Sequence, residues 1–219
     1  MFADRAEAAT RLATALEHYR GRNPLVLGIP RGAVPMARIV ADRLGGDVDV
    51  VLVRKLGAPG NPEYAVGAVD ESGWSFVAPH AERAGATSDY IEGERARQLA
   101  VMRERRAAYS QGRGALDPAG RIVIVVDDGL ATGSTMIAAL HALRMRNPGR
   151  LVCAVPVSPT ETLERLKPLA DEIVCLEAPA HFHAVGQFYR SFPQVDDDAV
   201  IAALSLPSSP GTGVRSAPG

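Results

Sequence analysis

The stretch RIVIVVDDGLATGSTMIAALHALRMR, residues 121–146, holds three kinds of sequence in succession. Residues 121–128 read as a strand, and their continuous apolar run of β-branched side chains, IVIVV, predicts burial on both faces. Residues 134–146 carry apolar positions at helical spacing. Between them two adjacent acids, Asp127 and Asp128, lead into a loop of small and hydroxyl-bearing residues. An isolated strand end needs no pair of mutually repelling carboxylates, so the loop invites a reading in terms of a ligand.

Outward from this stretch the chain keeps alternating. Helices are expected at 4–19, 34–44, 88–110, 134–146, 158–170 and 196–206, and strands at 24–30, 47–55, 121–128, 150–158 and 172–178. Residues 57–65 read as a loop from their glycines and prolines, and 66–79 as a hairpin turning near DESG. Ser158 is expected to cap the fifth helix, with Pro159 at its first position and Glu161 closing a capping box. The runs LVLGI, IVIVV and LVCAVPV are apolar without alternation, which predicts an α/β fold with a mostly parallel sheet flanked by helices. One domain is expected over residues 1–206, followed by a disordered Pro/Gly/Ser-rich tail at 207–219.

Composition sets bounds. The chain has 219 residues, 47% hydrophobic and 22% charged, as in ordinary soluble domains. Basic residues number 24 and acidic residues 25, so net charge favours neither nucleic acid nor an anionic membrane. Cys153 and Cys175 lie in apolar runs and are expected as buried thiols. No apolar run reaches the roughly 20 residues of a membrane span, and the first residues resemble no signal peptide. A cytoplasmic location is expected.

In open parallel sheets ligands bind at the carboxyl ends of the strands, which directs attention to the loops after Ile29, Val53 and Val126. After Val126, the helix N-terminus offers unpaired N–H groups to an anion, and Thr132, Ser134 and Thr135 add hydroxyl donors. Asp127 and Asp128 would repel a phosphate but accept hydrogen bonds from a diol. A phosphorylated ribose has both groups. A P-loop is excluded because no lysine follows Gly133, and the GxGxxG fingerprint is absent. A solvated Asp-Asp-Gly turn is the alternative without a ligand.

IVIVVDDGLATGST resembles the PRPP-binding motif of the type I phosphoribosyltransferases. The likeness extends over roughly residues 10–190, and the chain is similar to a bacterial group of such proteins with no settled acceptor. It implies that Asp127 and Asp128 bind the ribose hydroxyls, and that Ala131, Thr132, Gly133, Ser134 and Thr135 hold the 5′-phosphate. GIPRGA (28–33) resembles the family's pyrophosphate loop, often built on a non-proline cis peptide. Arg31 and Gly32 there, with Arg54 and Lys55 at the end of the 47–55 strand, would take the diphosphate. KLGAPGNPEYAVGA (55–68) resembles the flexible loop that closes over the site, with Glu63 as candidate general base and Arg31 and Lys55 assisting catalysis. Mg²⁺ is implied, held mainly through PRPP rather than by a dedicated protein site. A homodimer is expected, with PRPP and a small-molecule acceptor as partners.

Ala131 stands where hypoxanthine/guanine enzymes of the family have an aspartate, which argues against a 6-oxopurine acceptor. The hood around the acceptor is expected from 66–112 and 178–192, with Phe182, Phe188 and Tyr189 as its pocket. His181 and His183 lack a third nearby ligand and read as loop residues. The arginines of RERRAAY (103–109) read as a solvated helix face. Two further readings share the site: a PRPP- or nucleotide-sensing regulator, and a hydrolase of a phosphorylated sugar or nucleotide.

Overall fold

The computed structural model describes residues 1–205; the expected tail, 207–219, lies outside them. Five parallel strands form the main sheet: β1 (Leu25–Gly28), β2 (Asp47–Val50), β6 (Ile122–Val126), β7 (Arg150–Val157) and β8 (Glu172–Glu177), in the order β2-β1-β6-β7-β8. Strand residues alternate between two cores. Val26, Ile124, Val152 and Ala154 face α1 (Arg5–Ala15) and α2 (Val34–Leu44), beside Leu12, Met36 and Val40. Leu25, Leu27, Val123, Val125 and Cys153 face the opposite layer, with Met136, Leu140 and Leu143 of α4 (Ser134–Arg144) and Leu166 of α5 (Thr160–Leu166). Both faces are therefore dry, which is why these strands are continuously apolar.

The chain leaves this sheet after Val50. β3 (Val53–Ala58), β4 (Asn61–Asp70) and β5 (Ser75–Val77) form a separate antiparallel sheet in the order β3-β4-β5. Leu56, Val66 and Val69 of that sheet share a third core with Met102 and Tyr109 of α3 (Ser88–Ser110) and Val200 and Leu204 of α6 (Asp197–Ser205). The parallel-sheet expectation holds, and the α2 and α3 spans match the sequence reading.

Four local expectations are corrected. The single strand at 47–55 is two strands in two sheets, so Arg54 and Lys55 do not end a parallel strand but lie in β3, opposite Val69 and Ala68. The expected loop at 57–65 is mostly strand: Ala58 pairs with Asn61 across a tight turn at Gly60, whose φ of 71° suits glycine. Ser158 does not cap α5. Its N–H is held by Glu177 O at 3.2 Å as an extension of the sheet, and its hydroxyl donates to Pro159 O, leaving Pro159 as a cap without a side-chain bond. Of the two thiols Cys153 is buried, but Cys175 is half-buried, with Sγ donating to Glu177 O at 3.2 Å.

Candidate active site

β1 and β6 are neighbours, with Gly28 opposite Val126, so the loops at 29–33 and 127–133 leave the sheet side by side. Ile29 N donates to Val126 O at 3.0 Å and extends the pairing to the rim. The next peptide bond, Pro30–Arg31, is cis, as the sequence likeness implied. Gly32 then passes so close to the second loop that a Cβ there would overlap Asp128 Oδ2.

The acid pair is locked from several sides. Asp127 N donates to Ala154 O at 3.3 Å, and Asp128 N to Asp127 Oδ1 at 2.9 Å. The Tyr189 hydroxyl donates to Asp128 O at 2.6 Å. Arg5, from α1, reaches Asp128 Oδ2 with Nε at 2.9 Å and Nη2 at 2.8 Å. Burial, and then the neighbouring charge of Asp128, hold the Asp127 carboxyl well above the ordinary range. Burial also raises Asp128, against the opposing pull of Arg5. Sequence reading did not find Arg5, which no local spacing connects to the motif.

Past the acids, Gly129 has a φ of 152°, and a Cβ there would stand 2.5 Å from Val185 Cγ1. The loop ends in Gly133, which caps α4 in a left-handed conformation without any side-chain bond. Ser134 N donates to Thr132 Oγ1 at 3.5 Å, but the N-cap residue gives no side-chain bond of the kind Asp4 gives α1 and Thr87 gives α3. The loop itself is pinned from α5: Thr162 Oγ1 donates to Ala131 O at 2.7 Å, and Arg165 Nη1 to Thr132 O at 3.2 Å. Thr132 and Ser134 hydroxyls lie 3.1 Å apart. Ala131, Thr132, Gly133, Ser134 and Thr135 therefore surround a glycine-capped, positively polarised helix end, an arrangement that suits an anion.

The remaining candidates are distributed unevenly. The Arg31 side chain is exposed beside Gly32. Arg54 and Lys55 line a cavity of about 180 Å³ together with Pro30 and Thr135, so β3 brings them to both loops by a different route from the one expected. Glu63 lies in β4 near the β3–β4 turn. Tyr189 is corrected as a stacking surface: it is buried, with its ring packed near Phe2 and Phe192. Phe182 and Phe188 stack on each other at 5.2 Å and pack against the α1–α2 core, keeping only partial exposure. His181 and His183 stay on an exposed loop. A second cavity of about 130 Å³, between β4–β5 and α4, is walled by Trp74, Phe76 and His141, a grouping invisible in sequence. Among the described residues no helix is long and apolar enough to cross a membrane.

Residues 3–192 match the family model described as the phosphoribosyl transferase domain. Two Mycobacterium tuberculosis proteins, from strains CDC 1551 and H37Rv, are each 41% identical over 208 residues, 93% of this chain and 46% of their own length; both carry the provisional name phosphoribosyl transferase. The chain thus spans about half the length of the curated relatives it matches. The crystal structure of a Thermus thermophilus protein, TT1426, is 49% identical and superposes with a TM-score of 0.83, covering 93% of this chain and 97% of that one.

Proposed function

This chain belongs to the phosphoribosyl transferase domain family, and we propose that it transfers the phosphoribosyl group of PRPP to a nitrogenous acceptor and releases diphosphate. One observation carries the reading. An acid pair suited to a diol and a glycine-capped helix end suited to a phosphate stand in one loop, against a second loop opened at Gly32. Asp127 and Asp128 would take the ribose hydroxyls, and Ala131 to Thr135 the 5′-phosphate. Arg31, Gly32, Arg54 and Lys55 would take the diphosphate. One unit spanning residues 1–206 would carry the activity, as a cytoplasmic homodimer acting on small molecules of nucleotide metabolism.

The chemistry is a displacement at C1 of the ribose. The bond to the diphosphate oxygen breaks, a bond to the acceptor nitrogen forms, and the acceptor's proton leaves to a base, for which Glu63 is the candidate. The transition state resembles an oxocarbenium ion, so the protein's contribution is to hold the sugar, neutralise the departing charge and exclude water. Mg²⁺ would be held mainly through the oxygens of PRPP, with no dedicated protein site. When bound, the ion supplies positive charge to the leaving group. Phe182 and Phe188 remain the candidate wall on the acceptor side.

The test mixes the protein with PRPP, Mg²⁺ and a panel of bases and amines, and follows diphosphate. Acceptor-dependent release is expected, with hypoxanthine and guanine inert because Ala131 replaces the family's aspartate. Release without an acceptor would indicate a hydrolase. PRPP binding without release would indicate a sensor.

A further inference from the structure

The arginines of residues 103–109 have different fates in α3. Arg106 is fully occupied: Nε donates to Glu71 Oε2 at 2.7 Å, Nη1 to Asp49 Oδ1 at 2.6 Å and Nη2 to Val50 O at 3.0 Å. Arg103 is exposed. Arg105 is half-buried and, among the described residues, has neither an acidic partner nor a side-chain hydrogen bond. The cavity of about 180 Å³ that it lines also contains Arg54, Pro30, Met102 and Thr135. Arg54 Nε is buried there without a hydrogen-bond partner.

Guanidinium groups keep their charge at any physiological pH. Two of them at one cavity repel each other, and a buried unpaired N–H costs free energy that native folds otherwise avoid. Burial, and then the charge of Arg105, lower the Arg54 pKa. Tyr109, one turn beyond Arg105, supplies no anion. Its hydroxyl donates to Asp197 Oδ1 at 2.6 Å, and burial first, then Asp197, push its pKa up to about 12. The Arg106 anchor meanwhile fixes the helix backbone that aims Arg105 at the cavity. The site thus has positive charge in excess and two planar forks, a geometry matched to phosphoryl oxygens.

We propose that Arg105 of α3 and Arg54 of β3 form a two-guanidinium clamp for the diphosphate group, so that the second layer of the fold supplies part of the leaving-group subsite. The clamp rests on the reading of the 127–135 loop as a PRPP site. It gives a binding role to a helix that the sequence alone marked as solvated, and it explains why the cation pair tolerates its own repulsion.

The experiment is titration calorimetry on the full chain with Mg²⁺ and three probes: PRPP, inorganic diphosphate and ribose 5-phosphate. Arg105→Gln is expected to weaken PRPP and diphosphate by about 10- to 100-fold while leaving ribose 5-phosphate within about twofold. Arg105→Lys should recover part of the loss, and Arg103→Gln should change nothing. Without ligand, Arg105→Gln should melt no lower than the parent, because a repulsion is removed. Unchanged diphosphate and PRPP affinity in Arg105→Gln would overturn the clamp, as would equal weakening of all three probes. If the parent binds diphosphate but neither PRPP nor ribose 5-phosphate, the PRPP reading fails, and the diphosphate arm alone decides the clamp. Should Arg105→Gln not fold, Arg105→Lys decides in the same direction.

Discussion

Arg5 and Asp128, 123 positions apart in sequence, are joined at the rim of the candidate site by a hydrogen bond of 2.9 Å from Nε to Oδ2. The same guanidinium donates from Nη1 to Pro193 O at 2.6 Å and lies 3.7 Å over the Phe192 ring. One side chain therefore connects the first helix, the acid loop and the segment after Tyr189. It occupies Oδ2 and leaves Oδ1 of Asp128 outside the ion pair.

Replacing Arg5 with glutamine should weaken PRPP binding about 10-fold near neutral pH, on the scale of one charge-assisted hydrogen bond. The effect should depend on pH. Burial raises the Asp128 carboxyl and Arg5 opposes that rise; without Arg5 the group protonates at higher pH. The acid limb of the binding profile should then move to higher pH, with partial recovery under alkaline conditions and partial rescue by Arg5→Lys. A profile that overlays the parent's would show that Arg5 does not position the acid.

Gly32→Ala tests the contact between the two loops. The new methyl group would overlap Asp128 Oδ2 and come within 3.2 Å of Arg5 Nε. Relief requires moving the carboxylate or the cis-peptide loop, at a cost of about 1–3 kcal/mol. PRPP affinity should fall more steeply than thermal stability, because the displaced atoms belong to the site. A variant with parental affinity would place the diol elsewhere.

Much of this site could be read from the sequence because its parts are contiguous. The acids, the glycine cap and the hydroxyls lie within Asp127–Thr135, and strand and helix patterns flank them. What could not be read depends on long-range placement. Arg5 is distant in sequence from the acid it holds. Arg105 sits in a charge run whose helical periodicity cannot distinguish a solvated arginine from one facing a cavity. The chain from Asp47 to Lys55 is continuously strand-like, yet it changes sheets at Val51–Leu52, where the parallel partner β1 ends and β4 becomes available. Tyr189 and its neighbouring rings looked like a stacking pocket, but Phe2, from the other end of the chain, fills the space beside them.

Asp127→Asn separates binding from stability. The folded-state carboxyl is raised above its ordinary value of 3.8, by burial first and then by Asp128. Such a group contributes stability fully present below its unfolded pKa and lost as pH rises through the folded one. Asparagine does not titrate, so the variant should gain melting temperature relative to the parent as pH rises above the ordinary carboxyl value of 3.8. PRPP affinity should nevertheless fall by about 100-fold, since an amide replaces the carboxyl group that faces the diol. Adding Asp128→Asn should abolish binding without unfolding the chain. Unchanged affinity in the double variant would remove the acids from the site.

Arg106→Ala should behave in the opposite way to its neighbour Arg105. The Arg106 side chain is 12% exposed, against 9% for Asp49 and 20% for Glu71. Its removal strands two acids in a poorly solvated space, a change that costs about 3–5 kcal/mol in comparable buried pairs. For a chain of this size that corresponds to a fall of roughly 10 °C in melting temperature. Asp49 Oδ2 also accepts from Leu116 N at 2.9 Å, so the loop after α3 should loosen together with the helix. Neutralising the stranded partners, with Asp49→Asn and Glu71→Gln added to Arg106→Ala, should restore part of the loss. Scanning calorimetry of the three proteins measures this directly. A single variant as stable as the parent would mean that α3 is held by its apolar face alone, and that the Arg106 anchor does not fix the direction of Arg105.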